Sequence, residues 1–178
     1  KCLNEIPGIK TDVHLNGWPE DDKFFDGADA IVLYMDGGAN HPALQDDRLK
    51  KLDTLMNKGI GLACLHYATE PTIEKGEKEF LNWIGGAFEV NWSVNPHWDA
   101  DFKTLPKHPI TRGVKPFTIN DEWYMHMRFR KDLEGVTPIL SAVPPASTME
   151  RGEGTHQGNP AVREAVKRGD LQHVAWAT

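Results

Sequence analysis

Cysteine is scarce in this chain: 178 residues contain two, Cys2 and Cys64. Two distant thiols build no disulfide framework, and such usage points to a reducing compartment, by default the cytoplasm. Polybasic runs are missing as well, and the formal net charge is -6. A nucleic-acid binder would show a basic patch or stripe, so that class is set aside. No apolar segment approaches the roughly 20 residues of a membrane-spanning helix, which sets aside a membrane role. Neither His-x-x-x-His nor Cys-x-x-Cys occurs, so a zinc-type site is not written into local spacing. No cofactor is expected. A divalent metal stays open only as a set assembled by tertiary structure, such as His66, His97 and Glu122. Internal repeats are absent, and nothing marks a second domain.

What is present suits one α/β domain over residues 1–178: 39% of residues are hydrophobic and 26% charged, ordinary values for a globular protein. The chain is organised around Gly59-Ile60-Gly61-Leu62-Ala63-Cys64-Leu65-His66-Tyr67. This apolar run follows a helix-ending glycine and stops at polar groups, which predicts a central parallel strand buried on both faces. Open α/β sheets bind ligands just past such a strand's carboxyl end. A thiol and an imidazole two positions apart there, Cys64 and His66, suggest either nucleophilic or acid–base chemistry. Against this stands the common burial of free cysteine in cores.

Before it, Thr11 to Leu15 reads as a short strand, and Ala28 to Tyr34 as a second strand running into Asp36-Gly37-Gly38. Pro42 suits the first turn of a helix whose buried face is Leu49, Leu52, Leu55 and Met56, closed by Lys58-Gly59. Glu77 to Ile84 predicts a second helix ended by Gly85-Gly86. Phe88 to Phe102 is rich in aromatic and polar residues. From Trp123 the chain alternates, with Trp123, Met125, Met127 and Phe129 on one face and Tyr124, His126, Arg128 and Arg130 on the other, a half-buried strand. Val136 to Val143 reads as a strand whose Pro138 suits an edge. A Pro/Gly-rich loop follows from Pro144 to about Gly158, then a helix capped by Asn159 to Arg168 and a closing strand at His173. The start at Lys1–Glu5 reads as a helix tail and the end as a bare strand, so the expectation is an internal fragment with exposed apolar surface.

Taken together, these segments resemble the ThuA-like (trehalose utilisation) family. The resembling pieces are Val13 to Pro19, Asp36-Gly37-Gly38, Gly61 to Tyr67, Trp92 to Phe102, His108 to Gly113 and Asp121-Glu122-Trp123-Tyr124. The resemblance implies a flavodoxin-like, doubly wound, mainly parallel sheet related to class I glutamine amidotransferases, incomplete at both ends. It also implies a link, mostly in bacteria, to the metabolism of trehalose and oxidised (3-keto) disaccharides. In amidotransferases the nucleophile sits in a Gly-x-Cys-x-Gly elbow; here His66 replaces the second glycine, which shifts weight from Cys64 to His66.

The candidate catalytic residues are therefore His66, Glu122, Asp36 and Cys64. Asp36 and His66 leave the carboxyl ends of adjacent expected strands, and a carboxylate beside an imidazole fixes its tautomer for acid–base work. Candidate sugar-binding residues are His97, Trp98, Asp121, Trp123 and Tyr124, since carboxylates accept from hydroxyls while rings stack on a sugar's apolar face. His14, His41, His108, His126, His156 and His173 read as structural or surface residues. The expected partner is a small-molecule sugar, with a homo-oligomer allowed. The alternative is a non-catalytic carbohydrate-binding or accessory module on the same fold.

Overall fold

The computed structural model describes residues 2–178. Its organising unit is strand–helix–strand: β1 (Ala30–Tyr34), α1 (Arg48–Asn57) and β2 (Gly61–Leu65). α1 buries Leu52 completely, with Leu49, Leu55 and Met56 half-buried beside it. Its end is a Schellman turn: Gly59, at φ 84°, donates to the Met56 carbonyl at 2.8 Å and Ile60 to that of Leu55 at 3.4 Å. Glycine is favoured here because the left-handed conformation clashes with a Cβ. The turn delivers the chain into β2, which pairs with β1 in parallel from Ala30↔Gly61 to Tyr34↔Leu65. Both strands therefore end at the same level, which puts the loops after Tyr34 and Leu65 side by side.

Helix α2 (Glu77–Ile84) spans the expected residues and buries Phe80 and Ile84. Phe80 and Ile84 pack with Leu44 and Ala87 against half-buried Leu62 and Cys64, so the α2 side covers one face of the β1–β2 pair. The rest of the chain adds short antiparallel ladders. β3 (Gly86–Ala87) pairs with β6 (Arg128–Phe129), β4 (His97–Phe102) with β5 (Phe117–Glu122), and β7 (Thr137–Ala142) with β8 (Gln172–Ala177). Trp98, Ala100 and Phe102 of β4 pack against Ala142 and Leu140 of β7 and Val174 of β8. Asn159 caps α3 (Pro160–Arg168), its Oδ1 accepting from the Val162 amide at 3.0 Å. The chain is thus a mixed α/β protein.

Several expectations fail here. β2 is not buried on both faces: Gly61, Ala63 and Leu65 are exposed, as are Val32 and Tyr34 on β1. The closing strand at His173 does not join β1 and β2 in one parallel sheet; it runs antiparallel to β7, with bulges between Pro138 and Ser141. Only β1–β2 is parallel among the described ladders, so the mainly parallel, doubly wound sheet is not what these residues form. An apolar run measures burial, and burial by helices, by a partner sheet or on one face alone leaves similar runs. Thr11 to Leu15 forms no strand, and Val13 and Leu15 stand exposed. The strand expected from Trp123 to Arg130 is broken at His126, whose φ of 57° turns the backbone off the ladder after a single bridge between Val94 and Met125. The alternation survives in part as burial of Met125 and Met127. Cys2–Glu5 make one 3-10 turn, and Lys1 lies outside the described residues.

His41 is wholly buried, accepting at Nδ1 from the Ala43 amide (3.1 Å) and donating from Nε2 to the Ala68 carbonyl (3.1 Å). Burial lowers its pKa from the usual value, and that of His126 and His173 likewise. These groups bind more protons unfolded than folded. Their contribution to stability is complete above the unfolded value, roughly 6.5, and is lost as pH falls below it. Urea unfolding of the protein is expected to show lower stability at pH 5.5 than at pH 7.5, with a shallower slope in His41→Gln; equal slopes would show that His41 binds protons equally in the folded and unfolded states.

Candidate active site

β2 ends in a sharp turn at His66, which sits at φ 55° before a 3-10 helix (His66–Thr69). A left-handed conformation at a residue with a Cβ costs about 1 kcal/mol and is tolerated mainly where neighbours fix it. The amidotransferase pattern has glycine at this position, and the backbone here does take the shape glycine prefers. The turn is held against the loop after β1, where Gly38 donates to the Glu70 carbonyl at 2.8 Å. A Cβ on Gly37 would lie 2.4 Å from the Tyr67 carbonyl oxygen, so only glycine allows the two loops to approach so closely.

Glu122 ends β5, and the chain then carries Tyr124 back toward β2. The result is a chain of contacts across one imidazole. His66 Nε2 lies 2.9 Å from Glu122 Oε2, and the Tyr124 hydroxyl lies 3.3 Å from His66 Nδ1. The rings of His66 and Tyr124 meet at 4.8 Å. An ionised carboxylate only accepts, so the neutral imidazole carries its proton on Nε2, and Nδ1 accepts from the phenol. Burial raises the Tyr124 pKa well above its usual range, and the charges of Glu122 and Glu70 add to it. The phenol is therefore a proton-bearing group at neutral pH.

These groups form one end of a cleft of about 560 Å³. Leu62 to Leu65 of β2 and Val174 to Thr178 line it as consecutive residues. Successive side chains in a strand alternate faces, so such lining places the cleft between the facing edges of β2 and β8. Ile84, Met127 and Trp176 are among its apolar lining residues; its polar end holds His66, Thr69, Asp121, Glu122, Trp123 and Tyr124.

Of the other residues singled out from sequence, Asp36, His97 and Trp98 lie outside the cleft lining, whereas Cys64 is part of it. Asp36 is exposed at the end of β1; burial, then the charge of Glu70 and lastly that of Asp36 raise the Tyr67 pKa. His97 faces Glu122 across the β4–β5 ladder and is exposed. Trp98 is 4% exposed and belongs to the core between β4 and β7. Cys64 borders the cleft, but burial pushes its thiol up to about 12. A thiol with that pKa supplies little thiolate at neutral pH. Iodoacetamide at pH 8 is expected to alkylate Cys64 far more slowly than free cysteine, with mass spectrometry as the measure; a rate equal to free cysteine would place the thiol back among the nucleophiles. Among the described residues, no group of three or more His, Cys, Asp and Glu is placed to hold a metal ion.

Sequence reasoning missed a second pair. Glu70, whose side chain is 1% exposed, has Oε1 and Oε2 at 3.0 and 2.9 Å from His156 Nε2. His156 stacks on Phe88 at 5.2 Å, and Phe88 in turn meets Tyr124 at 5.2 Å. His156 belongs to the long loop after β7, 86 residues from Glu70, so no local spacing announces the pair. Asn95 was also passed over: its Nδ2 donates to Glu122 Oε1 at 2.9 Å.

No helix of the described residues is long and apolar enough to cross a membrane. No curated protein and no solved structure matches the chain. A family model does: ThuA, described as trehalose utilisation, matches residues 7–168. With that match spanning most of the sequence, the chain belongs to the ThuA family.

Proposed function

We propose that the cleft processes a sugar of trehalose or 3-keto-disaccharide catabolism by acid–base chemistry, with His66 as the proton-transferring group. The observation that carries this reading is the Glu122–His66–Tyr124 chain at the polar end of the cleft. Two titratable partners converge on an imidazole whose ring is partly open to solvent, which a site built only to hold a sugar does not need. His66 takes a proton from the substrate at Nδ1 as the Tyr124 hydroxyl gives way, and Glu122 faces the imidazolium that forms. Tyr124, held protonated, donates to the substrate oxygen on which charge develops. The proton returns from His66 to the product, so the cycle balances without an added oxidant or reductant. Asp121 accepts from sugar hydroxyls, and Trp123 offers a ring face. The β1–α1–β2 unit, with its site past the carboxyl ends of parallel strands, is the portion of a flavodoxin-like, amidotransferase-like plan on which this reading draws.

The test is turnover of 3-keto-disaccharides and of their unoxidised parents by the protein, with and without added divalent metal. Product formation with the keto sugars is expected. Saturable binding without turnover under any of these conditions would replace the enzyme with a carbohydrate-binding module.

A further inference from the structure

The Glu122 carboxylate is gripped from both sides. Oε2 meets His66 Nε2, while Oε1 accepts from Asn95 Nδ2. The Asn95 amide is itself oriented: its Oδ1 accepts from Arg151 Nη2 at 3.4 Å. Arg151 is fixed within the loop after β7, its Nε and Nη2 donating to Gln157 Oε1 at 2.9 and 2.8 Å. A guanidinium only donates, so it forces the amide oxygen toward itself and the amide N–H toward the carboxylate. Burial lowers the Arg151 pKa, and the Glu122 charge opposes that fall without direct contact between the two, which places Arg151 within electrostatic reach of the site.

We infer that Asn95 and Arg151 are positioning residues: the loop after β7 acts through Asn95 to lock Glu122, and so fixes His66 as the Nε2–H tautomer with Nδ1 free to receive a substrate proton. The inference rests on the acid–base reading of His66 for its purpose, though not for its test. Without the Asn95 donor, Glu122 is free to rotate, and the preference of His66 for one tautomer weakens. Arg151 matters through the amide it orients, so lysine, which only donates, substitutes for it; glutamine, whose amide both donates and accepts, does not dictate which end of Asn95 faces it.

The experiment is long-range ¹H–¹⁵N correlation NMR of the His66 imidazole at a pH where it is neutral, in wild type, Asn95→Leu, Arg151→Gln and Arg151→Lys. The wild type is expected to show the Nε2–H pattern. Loss of a hydrogen bond to a charged group shifts a two-state ratio about tenfold, so Asn95→Leu and Arg151→Gln should lower the tautomer ratio by about that factor, and Arg151→Lys should restore much of it. If Asn95→Leu fails to fold, Arg151→Gln, on a partly exposed loop, carries the test alone. An Nδ1–H wild type, or variants with the wild-type ratio, would overturn the inference. The readout needs no substrate, so absence of turnover would refute the proposed reaction and leave this result standing.

Discussion

Replacing His66 by alanine is expected to lower turnover of a 3-keto-disaccharide about a hundredfold or more, the usual contribution of a positioned acid–base group. Glu122→Gln should follow in the same direction, because the amide no longer faces an imidazolium with a charge. Cys64→Ala should change turnover little, since its thiol stays protonated in the core. His66→Gly offers a sharper separation of folding from chemistry. His66 occupies φ 55°, and glycine removes about 1 kcal/mol of left-handed strain. That variant should be no less stable than wild type and just as inactive as alanine. Rates should be compared at matched folded fraction. Retained activity in His66→Ala, with loss that tracks alkylation of Cys64, would sink the imidazole mechanism and restore a thiol one.

The largest expected effect on stability lies at Glu70. Burial raises its pKa, with the His156 contact opposing that rise. A nearly inaccessible carboxylate with one imidazole partner is costly to orphan: removing one member of a buried pair typically costs 3–5 kcal/mol. His156 keeps about a quarter of its surface exposed (27%), so His156→Ala is expected near the lower end, about 3 kcal/mol. Glu70→Gln, which removes the charge and keeps the shape, should cost less. The pH dependence carries the diagnosis. With its partner gone, Glu70 binds a proton more readily folded than unfolded, so the penalty is fully present at neutral pH. It shrinks as pH falls toward the raised folded pKa and the carboxylate neutralises in place. Urea unfolding at pH 7.5 and pH 5 should show the gap between wild type and His156→Ala narrowing with acid. A gap that does not change with pH would show that lost stacking on Phe88, not the orphaned charge, is the cost.

The pair also binds the loop after β7 to the end of β2. Together with Arg151, which reaches Asn95 from the same loop, it accounts for why a Pro/Gly-rich segment lies against the site. That segment reads in sequence as a loop long enough to be functional or disordered.

The sequence by itself determined the local units and their ends. Leucine spacing over residues 49–56, followed by Lys58-Gly59, specifies α1 and its stop, because helix periodicity and a left-handed glycine are short-range effects. The same holds for α2 between Glu77 and Gly85 and for α3 from its Asn159 cap. His66, Glu122 and Tyr124 were legible as candidates because polar groups following apolar strands stand out, and the ThuA resemblance was carried by those segments. Tertiary structure alone decided pairing and partners. The antiparallel match of β7 with β8, the open face of β1–β2 and the break at His126 depend on which edges meet, which an apolar run does not encode. His66 and Glu122 touch across 56 positions, Tyr124 and His66 across 58, and Glu70 and His156 across 86. Hydrogen bonds and ion pairs act over a few ångströms, and residues so far apart in the chain come within that range only when the fold places them there.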